Sequence, residues 1–263
     1  MSLGFRLLGT VELTRSGDPV PFGPAKARAL LAALVFEPNR LVPLSRLIEA
    51  VWSGPPPRSA VANLRTYAHG LRRAVADRLT SRSGAYKLTV KPGEADVDVF
   101  RTLVENGRSA LRAGDADRSV QAIEEALRLW RGPAGHGLPT GTSLDPHFAA
   151  LTNERLNAME DLVDARLALG DHARVLAGIS ALLAHHPLRE RAWGQLMLAL
   201  YRSGDVAGAL AAYADARKTI REQLGIEPAP QLATLHRAIL DHRVESRPAP
   251  AWTATGTGTG SNP

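Results

Sequence analysis

The chain of 263 residues contains no cysteine. This absence excludes disulfide bonds, thiolate metal sites and cysteine nucleophiles, and it is compatible with a reducing compartment. No apolar run approaches the roughly 18 residues that a membrane-spanning helix requires, and the first ten residues lack a basic segment followed by an apolar core. We therefore expect a soluble protein of the cytoplasm that does not bind a membrane.

The motifs of common enzyme classes are also missing. The sequence has no phosphate-binding GxxxxGK[ST], no zinc-binding HExxH and no GxSxG nucleophile motif. His185 and His186 are adjacent and precede Pro187, which is typical of a helix C-terminus rather than of a metal site. Asp161 and Asp164 are interpreted as solvated surface carboxylates rather than catalytic groups. The sequence thus predicts neither an enzyme nor a bound cofactor or metal.

Positive charge is concentrated in the first third of the chain. Residues 1–93 contain 14 Lys and Arg against 5 Asp and Glu, a net charge of +9, whereas residues 94–263 contain 18 against 21, a net charge of −3. Between Arg58 and Lys91 there are eight basic residues and one acid, Asp77. Such a focused basic segment predicts binding to a polyanion. No exposed apolar face accompanies it, so a nucleic acid is favoured over a membrane surface.

The first 52 residues have the periodicities of short strands followed by two helices. Alternating apolar residues predict a strand over residues 5–13. A turn and a short return strand follow, and each of two helices begins or ends at a proline. The predicted turn, return strand and helices span residues 16–19, 20–22, 25–37 and 44–52.

Residues 58–76 are predicted to form a helix with one apolar and one polar side. The apolar stripe, spaced by alternating steps of three and four, consists of Val61, Leu64, Ala68, Leu71 and Val75. We expect Leu64 and Leu71 to be buried against Leu34 and Leu47. The opposite side carries Ser59, Ala62, Thr66, His69 and Arg73, and the flanks carry Arg58, Asn63, Arg65, Gly70 and Arg72. A polar side of this kind without acids suits insertion into the DNA major groove, although a solvated surface helix is the alternative for such a pattern taken alone.

Residues 81–93 are predicted to form a basic β-hairpin, because Tyr86, Leu88 and Val90 alternate with polar positions between glycine and proline signals. Strands, two helices, a basic helix and a basic hairpin follow one another in the order of a winged helix-turn-helix. We therefore predict that residues 1–93 form an α+β winged-helix DNA-binding domain of the response-regulator type. The predicted DNA contacts are Arg58, Ser59, Asn63, Arg65, Thr66, His69, Arg72, Arg73, Arg82 and Lys87.

Residues 94–245 are helical by periodicity and contain an internal repeat. Gly170-Asp171 recurs as Gly204-Asp205 after 34 residues, the period of a tetratricopeptide helix pair. A similar helix follows Gly114-Asp115. The pattern predicts an all-α, tetratricopeptide-like array with a concave face for partners. Residues 246–263 are rich in Gly, Thr and Pro, with Trp252 as the only large apolar residue, and are predicted to be a disordered tail.

Several long segments resemble the Streptomyces antibiotic regulatory protein family of transcription activators. The matching segments include GPAKARALLAALVFEPNRLV, ANLRTYAHGLRRAV, EDLVDARLALGDHARV, HPLRERAWGQLMLALYRSGDVAGALAAYADAR and LGIEPAPQL. The resemblance covers residues 3 to about 243. It implies a winged helix followed by a helical bacterial transcriptional activation domain.

The resemblance also implies a function in the regulation of antibiotic or other secondary-metabolite gene clusters. Two protomers are expected to bind direct repeats in double-stranded DNA near the promoter and to recruit RNA polymerase holoenzyme through its sigma subunit. Such a protein acts at the nucleoid in the cytoplasm. Two alternatives remain at this point: a repressor that uses the same DNA-binding domain, and a tetratricopeptide adaptor without DNA affinity.

Overall fold

The computed structural model describes residues 2–244, so the predicted disordered tail with Trp252 lies outside the described residues. The chain divides into two compact units, Met1–Met159 and Glu160–Pro263. The units are described separately below.

The first unit begins with a three-stranded antiparallel sheet in the order β1-β2-β3. Its strands are β1 (Leu3–Arg6), β2 (Glu12–Arg15) and β3 (Asp18–Pro19). Phe5 pairs with Leu13 in the register of β1 and β2, and both side chains are buried. The turn between β2 and β3 contains Ser16 and Gly17, both with positive φ. The predicted bounds are wrong here, since the return strand occupies Asp18–Pro19 of the predicted turn rather than residues 20–22.

The prediction of one strand over residues 5–13 is wrong, because the chain reverses between β1 and β2. Gly9 has a φ of +144°, a conformation that glycine adopts without a steric penalty. The backbone N–H groups of Leu7 and Leu8 donate to the carboxylate of Asp96 at 2.8 and 3.0 Å. In a continuous strand these N–H groups would donate to the carbonyls of a neighbouring strand. Both side chains remain fully buried, so the apolar pattern reported burial rather than strand geometry.

Three helices follow the first sheet and enclose a core of leucines. They are α1 (Ala25–Phe36), α2 (Leu44–Val51) and α3 (Ala60–Val75). Pro24 and Pro43 occupy the N-cap positions of α1 and α2, which agrees with the tolerance for proline at a helix start. The predicted core is confirmed, since Leu34, Leu47, Leu64 and Leu71 are each fully buried.

A second three-stranded sheet forms the hairpin after α3. Its strands are β4 (Val42–Pro43), β5 (Leu79–Arg82) and β6 (Ala85–Leu88), in the order β4-β6-β5. Ser83 and Gly84 form the hairpin turn, both with positive φ. Leu88 is buried as the alternation predicted, and it pairs with Leu79. The first strand of the hairpin starts at Leu79, two residues before the predicted segment of residues 81–93.

The rest of the first unit is helical and packs on the elements described above. It contains α4 (Asp96–Arg112), α5 (Ala116–Arg128), an irregular segment of residues 131–144, and the beginning of α6 (Asp145–Ala168). The ring of Phe36 stacks on that of His147 with a centroid distance of 4.8 Å. Because of such contacts the first compact unit extends to Met159. The predicted domain boundary at 93/94 falls inside this unit, and it stays a prediction about sequence modules.

The second unit contains the end of α6 and four further helices. These are α7 (His172–His185), α8 (Glu190–Arg202), α9 (Val206–Leu224) and α10 (Pro230–Leu240). Its buried core is formed by Met197, Ala209, Ala212, Ala216, Leu232 and Ile239. Small residues on α9 allow it to approach α8 and α10 closely.

The three Gly-Asp pairs have the same local structure. Gly114, Gly170 and Gly204 all have positive φ, between +77° and +87°, as expected where a helix ends in a left-handed residue. The following residues, Asp115, Asp171 and Asp205, are N-caps whose carboxylates accept from the N–H three residues later. The structure therefore confirms that each Gly-Asp pair ends one helix and starts the next.

The interpretation of Asp161 and Asp164 as solvated carboxylates is wrong. Arg191 lies 2.6 Å from a carboxylate oxygen of each, and the amide nitrogen of Gln195 donates to Asp164 at 2.6 Å. Burial raises the pKa of Asp164, although Arg191 and Gln195 act in the opposite direction. These acids therefore belong to an ion-pair network with Arg191 and Gln195. The two partners lie 27 to 31 residues away in the sequence, so local spacing does not reveal them.

Candidate nucleic-acid interface

Helix α3 buries one side and exposes the other along its whole length. The buried residues are Ala60, Leu64, Ala68, Leu71, Ala74 and Val75. Val61, which the apolar pattern assigned to the buried stripe, is 37% exposed, so that part of the prediction is wrong. Because the buried side is centred near Leu64 and Leu71, alanines 60 and 74 face the core in its place.

The outer side of α3 carries the predicted polar and basic residues. Ser59, Thr66, His69 and Arg73 are exposed there, and so are the flanking residues Arg58, Arg65 and Arg72. Within residues 2–244, the side chains of Arg58, Arg65 and Arg73 make no hydrogen bond or ion pair. They are available to an external partner.

Two predicted contact residues are hydrogen-bonded within the helix. The amide nitrogen of Asn63 donates to the hydroxyl of Ser59 at 3.2 Å, and the hydroxyl of Thr66 donates to the carbonyl of Ala62 at 3.2 Å. Asn63 is half-buried on the flank. The Ser59 hydroxyl still has its own proton to donate, and Asn63 keeps a second N–H and its Oδ1 for a contact to a base.

Arg72 connects α3 to the hairpin. Its Nε donates to the carbonyl of Leu79 at 3.2 Å, and a terminal nitrogen lies 3.4 Å from the hydroxyl oxygen of Ser81. Both partners are on β5. Arg72 thus holds the hairpin against the helix, a role that the sequence prediction of a DNA contact did not include.

The structure brings Arg65 of α3 and Arg82 of the hairpin to one cleft. The cleft has a volume of about 200 Å³ and is also lined by Ser81, Ser83 and Tyr86, among others. Arg82 is exposed, and Lys87 is half-buried on the neighbouring strand. Two guanidinium groups beside hydroxyl groups form an arrangement that suits an anion such as a phosphate.

Arg78 belongs to the basic segment of the sequence but does not contribute a free cation. Its guanidinium donates to both oxygens of Glu94, at 3.0 and 2.9 Å, and to the carbonyl of Thr89 at 3.2 Å. Burial alone would raise the pKa of Glu94, but the hydrogen bonds from Arg78 and from the Lys91 N–H outweigh it and lower that pKa. The charge of the segment therefore overstates the number of available cations.

Two further residues position α3 and were not identified from the sequence. A terminal nitrogen of Arg15 on β2 donates to the carbonyl of Ala74 at 2.8 Å, which satisfies one of the carbonyls left free at the helix end. A Cβ atom at Gly70 would lie 3.1 Å from the carbonyl oxygen of Phe22. Gly70 therefore allows a close approach of backbone to α3 and packs inward.

The described part of the chain contains neither a candidate metal site nor a membrane-spanning helix. Residues 2–244 contain no group of three or more His, Asp or Glu side chains arranged to hold a metal ion. None of the helices over the same residues combines the length and hydropathy required to cross a membrane.

Comparison with known proteins identifies the family of the helical part. Residues 95–240 match the bacterial transcriptional activator domain family. The chain is 39% identical over 250 residues to the regulatory protein AfsR of Streptomyces griseus, a match that covers 94% of this chain and 26% of AfsR. This chain thus spans about a quarter of that relative.

Other relatives match over most of their own length. The regulatory protein DnrI of Streptomyces peucetius is 35% identical over 246 residues, which cover 89% of this chain and 90% of DnrI. The structure of Mycobacterium tuberculosis EmbR in complex with a low-affinity phosphopeptide matches with a TM-score of 0.88 and 33% identity, covering 93% of this chain and 66% of that one.

The domain match covers more than half of the chain, and the match to DnrI extends over nearly all of both proteins. AfsR and DnrI are named regulatory proteins, and EmbR is named a transcriptional regulatory protein. The chain belongs to the Streptomyces antibiotic regulatory protein family of transcriptional activators.

Proposed function

We propose that this protein is a sequence-specific DNA-binding activator of a secondary-metabolite gene cluster. In this proposal residues 1–93 act as a winged helix-turn-helix, with α3 as the recognition helix in the major groove and the β5–β6 hairpin as the wing. Residues 94–245 act as a tetratricopeptide-like activation domain. The names of the relatives support the regulatory role, and the surface of α3 supports DNA as the ligand.

The observation that carries the proposal is the set of unpaired cations shared by α3 and the hairpin. Arg65 and Arg82 line one cleft, and Arg73 lies on the exposed side of α3. An unpaired arginine can bind a phosphate without breaking an ion pair within the protein. The release of counterions from DNA then favours the complex.

We assign different roles to the outer side of α3 and to its flanks. Arg73 and His69 are placed to contact base edges, because a recognition helix presents its outermost side chains to the groove. Arg58, Arg65, Arg82 and Lys87 are placed to contact phosphates, which position the duplex without specifying its sequence. Arg72 contributes charge near the phosphates while it holds the hairpin.

The larger assembly is proposed from the family. Two protomers would bind direct repeats side by side, and the helical part would recruit RNA polymerase holoenzyme through its sigma subunit. This activity would place the protein at the nucleoid in the cytoplasm.

The DNA-binding part of the proposal is tested by the salt dependence of affinity. Sites would first be identified by genome-wide footprinting of the protein in its host. If roughly four to six phosphates are neutralised per protomer, log K should fall against log salt with a slope near −4 to −5. Arg65→Ala should reduce the slope by about 0.9, whereas Arg118→Ala, an exposed arginine on α5, should leave it unchanged. An affinity that does not depend on salt would contradict DNA binding and favour the adaptor.

The activating role is tested by transcription with purified polymerase. The full-length protein should raise transcription from a promoter that carries the footprinted site. Lowered transcription from the same promoter would identify a repressor.

A further inference from the structure

The irregular segment of residues 131–144, here named the strap, packs against the elements that carry the candidate interface. The backbone N–H of Arg131 donates to the carbonyl of Leu8 at 2.9 Å, and that of Gly135 donates to the carbonyl of Leu7 at 3.1 Å. The guanidinium of Arg131 also contacts Glu12 at 2.7 Å and Asp96 at 3.2 Å. The strap is therefore anchored to the first sheet at its beginning.

The end of the strap contacts α2 and the turn that leads into α3. The backbone N–H of Ser143 donates to the carbonyl of Glu49 at 3.1 Å. Glu49 lies in the last turn of α2, where carbonyls have no partner within the helix, so Ser143 caps α2 from outside. A Cβ at Gly141 would lie only 3.3 Å from the Cβ of Ser53, which shows that the strap backbone is in close contact with the start of the turn.

Asp145 closes this end of the strap into a rigid loop. Its carboxylate accepts from the N–H of Gly141 at 2.7 Å, and the hydroxyl of Thr142 lies 3.4 Å from its other oxygen. The N–H of Leu144 donates to the Thr142 hydroxyl at 3.2 Å, and both of these side chains are buried. The positions of Gly141 and Ser143 are therefore determined by hydrogen bonds within the loop.

Apart from the strap, the turn between α2 and α3 is held by local bonds to α3: the N–H of Ala60 donates to the carbonyl of Pro57 at 2.8 Å, and the side chain of Asn63 donates to that of Ser59. All of residues 53–59 are exposed, and they include Arg58 and Ser59 at the start of α3. We propose that the strap, through Gly141 and Ser143 and closed by Asp145 at the start of α6, is a positioning element of the DNA interface. It caps α2 and fixes the turn from which the recognition helix starts, although it supplies no cation to the DNA. This inference rests on the proposed DNA-binding function.

The test compares helix-start aspartates in the full-length protein. Asp145→Ala removes the acceptor that closes the strap, and Asp171→Ala removes the N-cap of α7 in the second unit. With DNA at temperatures well below melting, Asp145→Ala should raise Kd by about 5- to 10-fold because a preformed surface is lost. Its salt slope should stay that of the parent protein, since every DNA-contacting cation remains. Asp171→Ala should bind like the parent protein.

Hydrogen exchange gives an independent measurement of the same effect. The amides of Ser143, Ala60 and Asn63 donate to the carbonyls of Glu49, Pro57 and Ser59. They should exchange faster in Asp145→Ala than in the parent protein, because the turn has lost its support. Asp145→Asn keeps an oxygen acceptor, so its amide exchange rates and its affinity for DNA should equal those of the parent protein.

A second variant keeps the test decisive if Asp145→Ala does not fold. Gly141→Ala adds one methyl group against Ser53 at a φ of +74°, and it should raise Kd by about 2- to 5-fold with the parent salt slope. Folded strap variants with parental affinity would overturn the proposal. If Arg65→Ala reduces the slope and the strap variants have no effect, only the strap inference fails. If the parent protein does not bind DNA, the proposed function itself fails.

Discussion

The arginines of the candidate interface in the first unit and Arg191 in the second unit have opposite environments. In the first unit Arg65, Arg73 and Arg82 are exposed, and across residues 2–244 their side chains have no hydrogen bond or ion pair. In the second unit Arg191 is only 20% exposed and contacts Asp161 and Asp164 at 2.6 Å each. Composition follows the same division, since residues 160–263 contain 11 basic and 11 acidic residues, whereas residues 1–159 contain 21 and 15.

The difference shows that the role of an arginine depends on which acids the fold brings within reach. Arg78 lies in the basic segment, yet Glu94 neutralises it. The arginines on the outer side of α3 have no acid on their own helix and therefore remain available for phosphates or bases. A buried charge is stable only when the fold supplies its partner. An exposed cation can stay unpaired in water until a ligand supplies the opposite charge.

The largest effect is expected in the second unit, for Arg191→Ala. This variant leaves the buried Asp161 and the partly buried Asp164 without Arg191, so the free energy of unfolding should fall by about 3 to 5 kcal/mol. Urea denaturation at neutral pH measures it. Arg174→Ala is the matched control, because this arginine is 73% exposed in its pair with Asp171, and its loss should cost less than about 1 kcal/mol. Equal losses in the two variants would remove the distinction between buried and exposed pairs.

The apolar side of α3 should respond to truncation almost as strongly. Leu64 is fully buried, so Leu64→Ala should lower the free energy of unfolding by about 2 to 5 kcal/mol through lost contacts and a cavity. Val61→Ala on the same helix should cost less than about 1 kcal/mol, because Val61 is 37% exposed. Thermal unfolding of both variants checks the orientation of α3. A Leu64→Ala protein that melts with the parent protein would show that the orientation is wrong.

A smaller effect is expected for DNA specificity. Arg73→Ala should change the preference among single-base variants of the site by about 1 to 3 kcal/mol, because a lost base contact affects one position of the site. Lys87→Ala should weaken binding to all of these sequences alike, since phosphate contacts carry no sequence information. Parallel affinity measurements on a set of site variants distinguish the two results. A uniform loss from Arg73→Ala would assign this arginine to the phosphates as well.

The smallest effect concerns the one neutralised cation of the basic segment. The pKa of Glu94 is lowered in the folded protein, so its pair with Arg78 stabilises the protein above the ordinary glutamate value of 4.5, and this contribution is lost as the pH falls through the lowered value. Glu94→Gln should therefore lose less stability than the parent protein on acidification below about pH 4.5. Glu222→Gln, at an exposed position of α9, should follow the parent curve, and identical curves for all three proteins would argue against a role for the pair.

Local sequence was sufficient to predict the helices, the hairpin and much of the candidate interface. Apolar spacing predicted the burial of Leu64 and Leu71, and prolines predicted where α1 and α2 begin. The Gly-Asp pairs predicted a helical repeat, and the structure explains why they recur: a left-handed glycine and a capping carboxylate act within four residues. The absence of acids on α3 predicted its free arginines, since pairs on a helix form between residues three or four apart.

Only the tertiary structure decided the contacts between residues far apart in sequence. The pairing of Arg78 with Glu94, the attachment of Arg72 to the hairpin and the packing of the strap on α2 depend on how elements meet in space. Apolar spacing reports which side of a segment is buried but not whether that segment continues straight, so the chain reversal at Gly9 was missed. The sequence by itself determined which residues carry charge and that Leu64 and Leu71 are buried. Tertiary packing determined the exposure of Val61, the burial of Asp161 and which charges remain free to bind a partner.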